Sequence, residues 1–232
     1  MKDDSSSHSE KPNTTSALEE NHKFYQKFSG DWVSGKYSES SATYNLVLLS
    51  KLSEIKKPSG TFYDLGCAQG VLAEPSLSIG YKKYVGIDFS SEMLAHARLA
   101  HEDNSRAIFI DQDLRFLEGE SVADAVIASS VLFHVPFDDL EDVIRRIYGL
   151  MKPGAVASLC HAFNPLLNGQ RSIYVAGGPE GRGDEKLRHW LLGNQRDFGN
   201  ILLKAGFIPK DLISVKEARH IINMSFFVQK PL

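Results

Sequence analysis

Cysteine is nearly absent. The two thiols in 232 residues, Cys67 and Cys160, exclude a disulfide framework and make no metal-ligand spacing, so no metal is expected. Both read as packed, reduced side chains. No apolar run approaches the length of a membrane span, which argues against a membrane partner. Basic charge is not in surplus either: 26 Lys and Arg stand against 29 Asp and Glu, for a net charge of −3. That balance argues against nucleic acid, whose phosphates favour a basic face. Residues 1–16 are polar and rich in Ser, with no basic segment leading into an apolar one, which excludes a secretory signal. They read as a disordered tail. What remains is an ordinary globular composition, 42% hydrophobic and 24% charged, long enough for one α/β domain with a large core. A cytoplasmic location fits all of this.

Patterning divides the rest. Helices are expected over 18–30 and 41–55, the second carrying Tyr44, Val47, Leu48, Leu52 and Ile55 at helical spacing. Then strands and helices alternate. Strands are expected over 61–65, 83–88, 107–111, 124–129 and 155–161, and helices over 68–76, 91–100, 137–151 and 195–205. The helix after Pro136 has Asp138 and Asp139 to cap it, a stripe of Leu140, Val143, Ile144, Ile147 and Leu150, and a Lys152-Pro153-Gly154 stop. The rhythm changes at the end: 208–217 and 221–229 are strands with no helix between them, and so a hairpin. Residues 162–194 do not fit the alternation. They are long for a connection, and such segments are often functional.

The most informative segment is Tyr63-Asp64-Leu65-Gly66-Cys67-Ala68-Gln69-Gly70, because Val85-Gly86-Ile87-Asp88 follows it and places an acid 22 positions on (66 to 88). A short apolar run, a glycine turn, a helix, a second run and a carboxylate make a nucleotide-binding βαβ layout. The glycines stand as G-x-x-x-G rather than in the dinucleotide spacing, and Asp64 precedes the first by two. This resembles motif I of the class I S-adenosylmethionine (SAM) dependent methyltransferases, with Ala68 at a position usually filled by glycine. Further segments resemble the same family in order: Phe109 to Leu114, Asp124 to Ser130, the Leu150-Met151-Lys152-Pro153-Gly154 turn and Lys204-Ala205-Gly206-Phe207.

The resemblance implies a Rossmann-like three-layer α/β sandwich. Its seven-stranded, mostly parallel sheet would run in the order 3-2-1-4-5-7-6, with the last strand antiparallel. It implies one domain over 17–232, with a helical cap over 17–57 and a substrate lid over 162–194. The implied cofactor is SAM, leaving as S-adenosylhomocysteine. Gly66, Cys67, Ala68 and Gly70 would turn beneath it and Asp64 would order its ammonium end. Asp88 would accept the ribose hydroxyls, while Phe89 and Met93 would flank the adenine. Asp113, preferred to Asp111, would take the adenine amino group, with the Leu114 backbone on a ring nitrogen. Ser129 would lie near the methionyl part. Tyr25 and Trp32 would close over the cofactor, or simply pack a capping helix.

Methyl transfer from a sulfonium needs alignment and dryness more than acid–base machinery. A base is needed only when the nucleophile still carries its proton. His134, just past the fourth strand, is the candidate base; packing is its alternative role. His161 and His189 are weaker candidates, the first ending a strand and the second reading as part of an exposed helix. The [DN]-P-P-[YF] motif of enzymes that methylate exocyclic or amide nitrogen is absent, since that place reads Ala128-Ser129-Ser130-Val131. No Pro-Cys pair stands there for cytosine chemistry. The main expectation is a small-molecule O- or N-methyltransferase. A protein or RNA methyltransferase, and a SAM-binding regulatory protein without turnover, stay open beside it.

Overall fold

The computed structural model describes residues 14–33, 38–177, 186–218 and 220–232. Most of the expected tail, residues 1–13, lies outside them, as does the side chain of Trp32. Two helices come first, α1 (Thr14–Val33) and α2 (Ser38–Ile55). Alternation follows: β1 (Thr61–Leu65), α3 (Ala73–Ser78), β2 (Lys83–Asp88), α4 (Ser91–Ala100), β3 (Ala107–Asp111), β4 (Ala123–Ala128), α5 (Phe137–Leu150) and β5 (Met151–Phe163). A short hairpin, β6 (Ser172–Gly177) and β7 (Lys186–Leu191), precedes α6 (Gln195–Lys204). The closing pair is β8 (Ile208–Ala218) and β9 (Ile221–Gln229).

The main sheet has seven strands in the order β3-β2-β1-β4-β5-β9-β8. It is the expected order, since β8 and β9 are the sixth and seventh strands of that sheet in chain order. β1, β2, β3, β4 and β5 pair in parallel, and β9 runs antiparallel to both β5 and β8. Strand β4 explains the layering. Val126 and Ala128 enter one core with α5 and α6, whereas Ala125 and Ile127 enter the other with α2 and α3. The period of two sends alternate side chains to opposite faces, and both faces are covered by helices. The carboxyl ends of the parallel strands therefore open at one edge, where ligands of such sheets bind.

Some expectations need correction. The third helix begins at Ala73, not at 68, and is only six residues long. Pro75 is the reason: it has no N–H to donate and is tolerated only in a first turn, so the helix cannot start much earlier. Residues 66–72 instead form the glycine turn. In α2 the buried stripe uses Leu48, Leu49 and Leu52, and Val47 is 53% exposed. Asp138 and Asp139 sit in the first turn of α5 but make no side-chain cap; Pro136 holds the cap position. They favour the positive end of the helix dipole, and Asp139 also faces the Arg115 guanidinium at 3.9 Å. The segment 162–194, expected as a lid, carries the β6–β7 hairpin. Leu191 and Leu192 at its foot are buried, which roots it in the core.

Candidate active site

The site is built at the carboxyl edge of the parallel strands. β1 ends at Leu65, and the chain reverses through left-handed residues, Gly66 at φ 73°, Ala68 at 47° and Gly70 at 74°. Gly66 and Cys67 both donate their N–H to the Ile87 carbonyl, at 2.7 and 3.0 Å, which pins the turn to β2. The glycines serve packing as well as direction. A Cβ on Gly66 would lie 2.7 Å from the Val131 side chain, and one on Gly70 would lie 2.6 Å from the Phe109 ring. Gly66→Ala is therefore expected to destabilise the fold by about 1–3 kcal/mol through backbone strain and collision. Urea unfolding at unchanged m-value measures it; a loss below about 0.5 kcal/mol would show that the turn adapts.

Ala68 tolerates its left-handed backbone because of what its amide meets. The Ala68 N–H donates to Asp88 Oδ2 at 2.9 Å, and the Ser90 N–H donates to Asp88 Oδ1 at 2.9 Å. Asp88 thus clamps the glycine turn to the start of α4. Each carboxylate oxygen accepts more than one hydrogen bond, so capacity remains on the cavity side. Burial pushes the Asp88 carboxyl above its ordinary range against the pull of these amides. Asp64 is buried as well. Tyr84 donates its hydroxyl to Asp64 Oδ2 at 2.7 Å, yet burial, aided by Asp88, raises the Asp64 carboxyl to about 7. Two buried carboxylates with no cation beside them among the described residues make an electrostatically demanding spot.

These groups open on a cavity of about 440 Å³, a size usual for small-molecule sites. The cavity brings together the sequence candidates Tyr25, Asp64, Gly66, Cys67, Ala68, Asp88, Phe89, Met93, Leu114, Ser129 and His134. Gly70 is not on its wall, because its Cα faces Phe109. Asp113 departs from expectation. Its carboxylate folds back to cap the turn at Leu114–Phe116, accepting from Arg115 N at 2.8 Å and pairing with the Arg115 guanidinium at 2.6 Å. Both of its oxygens already accept two donors each. Asp113 borders a neighbouring hollow with Asp111, while Gln112 between them reaches the main cavity. Cys67 and Cys160 are free and buried, and burial raises both.

His134 lies in a turn, Leu132–His134, held from two sides. Its Nδ1 is 3.3 Å from the Arg188 carbonyl, and a carbonyl can only accept, so Nδ1 carries the proton. Its Nε2 is then the acceptor of the Tyr25 hydroxyl at 2.9 Å. Burial, with His189 and His161 nearby, pushes the His134 ring well below its usual value, so it is a neutral imidazole. Burial likewise raises Tyr25, which stays a phenol. The Arg188 carbonyl also accepts from Asn21 Nδ2, and the Arg188 N–H donates to Asn21 Oδ1 at 2.7 Å. One backbone position on β7 thus fixes α1, the hairpin and His134 together. Above the cofactor side, Tyr25 meets Phe89 edge-on at 5.7 Å, so α1 roofs that wall.

The wall also carries residues beyond the main sequence candidates, among them His189, expected only as a weaker candidate base. Asn45 on α2 accepts from Ser129 Oγ at 2.6 Å, and the Tyr44 hydroxyl bonds the Ser130 hydroxyl. Tyr174, Leu187 and His189 come from the hairpin, and Asn223 from β9. His189 is on a strand, not a helix, and its ring packs 4.8 Å from His134 and 5.0 Å from Phe133. The alternation Leu187, His189, Leu191 was the signal that could have placed it. His161 sits in β5 against Phe198, off the cavity wall, and burial lowers it to about 4. No cluster suited to a metal ion occurs among the described residues. No helix among them is long and apolar enough to cross a membrane.

Comparison with known proteins adds three findings. Residues 62–154 match the family model for a methyltransferase domain. The ribosomal protein L11 methyltransferase of Vibrio cholerae is 26% identical over 106 residues, 46% of this chain. That match covers 35% of the relative, so the chain spans about a third of its length. Among solved structures, the 1,6-didemethyltoxoflavin-N1-methyltransferase of Burkholderia thailandensis superposes with a TM-score of 0.65 at 18% identity, covering 91% of each chain. It holds 1,6-didemethyltoxoflavin and S-adenosylhomocysteine. The N-methyltransferase NodS of Bradyrhizobium japonicum, in complex with S-adenosylhomocysteine, superposes with a TM-score of 0.67 at 13% identity, covering 95% of this chain and 100% of the other. At such identities the likeness is one of fold.

Proposed function

We propose that this chain, whose residues 62–154 match a methyltransferase domain, transfers the SAM methyl group to an oxygen or nitrogen of a small-molecule acceptor. The observation that carries this reading is the pair of buried carboxylates at the end of the glycine turn. Asp64 and Asp88 face the cavity and are both hard to ionise there. A ligand with an ammonium group and a ribose diol relieves that cost: the ammonium meets Asp64 and the diol meets Asp88. Gln69 adds an argument of the same kind. Its Oε1 is buried on the same wall with no partner among the described residues, so it can receive a donor from the ammonium end. Phe89, Met93 and Leu114 give apolar faces for an adenine ring. Gln112 takes the adenine contact in place of Asp113, whose oxygens are already occupied by Arg115.

When bound, SAM supplies a methyl group already activated by a positive sulfonium. The protein's task is to hold the acceptor in line, exclude water and receive one proton. α1 and the β6–β7 hairpin roof the cavity and exclude water. Tyr25 and His134 form the proton path: Tyr25 Oη accepts the acceptor's proton as its own moves to His134 Nε2. His134 is suited to this because it is neutral, with its free lone pair already aimed at Tyr25. The roof of α1 and the hairpin over the cavity, and the structurally similar enzyme that holds 1,6-didemethyltoxoflavin, support a small acceptor over a folded protein.

Calorimetry with SAM tests the cofactor half. Asp64 moves from an ordinary 3.8 to about 7 in the fold, so it is largely neutral below that pH and ionised above it. A cationic ligand selects the ionised form. Affinity is expected to level off above pH 7 and to weaken by roughly tenfold per pH unit below it. The sign for stability is opposite. Between 3.8 and about 7 the ligand-free fold holds a proton that the unfolded chain releases, so its stability falls as pH rises through that window. Asp64→Asn should therefore flatten the affinity profile and raise the melting temperature near pH 8, but not near pH 4. A pH-independent wild-type affinity contradicts the assignment of Asp64. SAM binding without methyl transfer to any lysate metabolite would make the chain a SAM-binding regulator.

A further inference from the structure

Resting on the methyltransferase reading, we infer that the acceptor is an uncharged, planar aromatic or heteroaromatic molecule whose polar groups meet Asn223 Oδ1 and His189 Nε2. Three observations converge. The first is charge. Among the described residues, the only formal charges on the cavity wall are Asp64 and Asp88, both at the glycine-turn end. No Lys or Arg of the described chain reaches the wall to neutralise an anionic acceptor. His189 supplies no charge either, since burial lowers it to about 4. A carboxylate or phosphate carried into this end would lose its water without gaining a counter-charge.

The second is shape. The end away from the carboxylates is walled by rings. Phe133 meets His189 at 5.0 Å and an interplanar angle of 61°, and Tyr174 meets His189 at 5.8 Å and 46°. His134 stands perpendicular to Tyr25 at 5.6 Å. Rings set at such angles present edges and faces to a flat partner, the arrangement aromatic pairs prefer. Ile221, Leu187 and Ala162 fill the remaining wall with aliphatic surface.

The third is unmet hydrogen bonding. Asn223 Oδ1 and His189 Nε2 are both buried, both belong to residues on the cavity wall, and neither has a partner among the described residues. They come from different elements, β9 and β7, that both reach this cavity wall. Buried polar atoms are normally satisfied. The arrangement is explained if the acceptor satisfies them, with an O–H or N–H donated to Asn223 and a complementary group at His189. An acceptor without hydrogen-bonding groups at this end leaves both atoms stranded.

Matched probes on the protein loaded with S-adenosylhomocysteine test this: hydroxyquinoline, quinoline, quinolinecarboxylate and cyclohexylamine, with affinities by calorimetry. Hydroxyquinoline should bind at least roughly tenfold tighter than the carboxylate or the amine. Asn223→Leu should weaken hydroxyquinoline by roughly tenfold and leave quinoline nearly unchanged. His189→Phe keeps the ring packing and removes the polar atom, and should narrow the gap between the two in the same way. Melting temperatures verify that each variant is folded. The inference is overturned if the carboxylate or the amine binds as tightly as hydroxyquinoline. It is also overturned if no probe binds, or if both folded variants keep the wild-type preference. Failure of the wild type to bind S-adenosylhomocysteine is a different result, since it overturns the cofactor reading itself.

Discussion

His134→Ala is expected to lower kcat by roughly 10²–10⁴-fold while leaving SAM affinity almost unchanged. The geometry gives the reason for both halves. His134 Nε2 accepts from Tyr25 and its Nδ1–H is spent on the Arg188 carbonyl, so neither ring nitrogen bonds the carboxylates of Asp64 or Asp88. Its ring is held neutral by burial, so the basic form persists well below the usual histidine range. Its titration should therefore not cut the rate between about pH 6 and 8. For an acceptor that ionises by itself, the defect should shrink as pH rises. Tyr25→Phe should share the kcat loss, because it removes the relay and keeps the ring against Phe89. A merely packing His134 predicts a lower melting temperature with most turnover kept, and near-wild-type kcat excludes the base role.

Asp88→Ala carries the second large effect: SAM affinity should fall by roughly tenfold or more, with the sheet intact. Two interactions go at once. The acceptor oxygens for the ribose diol are lost, and the Ala68 and Ser90 amides lose the carboxylate that ties the glycine turn to α4. Asp88→Asn separates these contributions. Its single Oδ1 can keep one amide bond, so its affinity should lie between the wild type and the alanine variant. The fold is expected to survive, because the two cores on either side of the sheet do not include Asp88. Unchanged SAM affinity in the alanine variant, or tight NAD binding by the wild type, contradicts the role given to this acid.

Local chemistry made much of this legible before any coordinates. The switch from βα alternation to two consecutive strands dictated an antiparallel end, and β9 runs that way. The spacing from Gly66 to Asp88 put a turn and an acid at neighbouring strand ends, and Asp88 reaches Ala68 at 2.9 Å. Boundaries failed where one residue overrode a pattern, as Pro75 did for α3. The hairpin was missed because β6 and β7 are short and separated in sequence, and their pairing is a tertiary fact.

By itself, then, the sequence determined the alternation of strands and helices, the antiparallel end, the glycine turn and the acids at its end, because these follow from periodicity and backbone chemistry within a few dozen residues; the strand order was legible only through the family resemblance. Only the tertiary structure decided who meets whom across the cleft. Asn21 and Arg188 join over 167 positions, Tyr25 meets His134 over 109, and Asp113 turns from the cavity to Arg115. Burial also belongs to the assembled fold. Desolvation, which raises Asp64 to about 7 and keeps His134 neutral, acts only once distant segments have displaced the water.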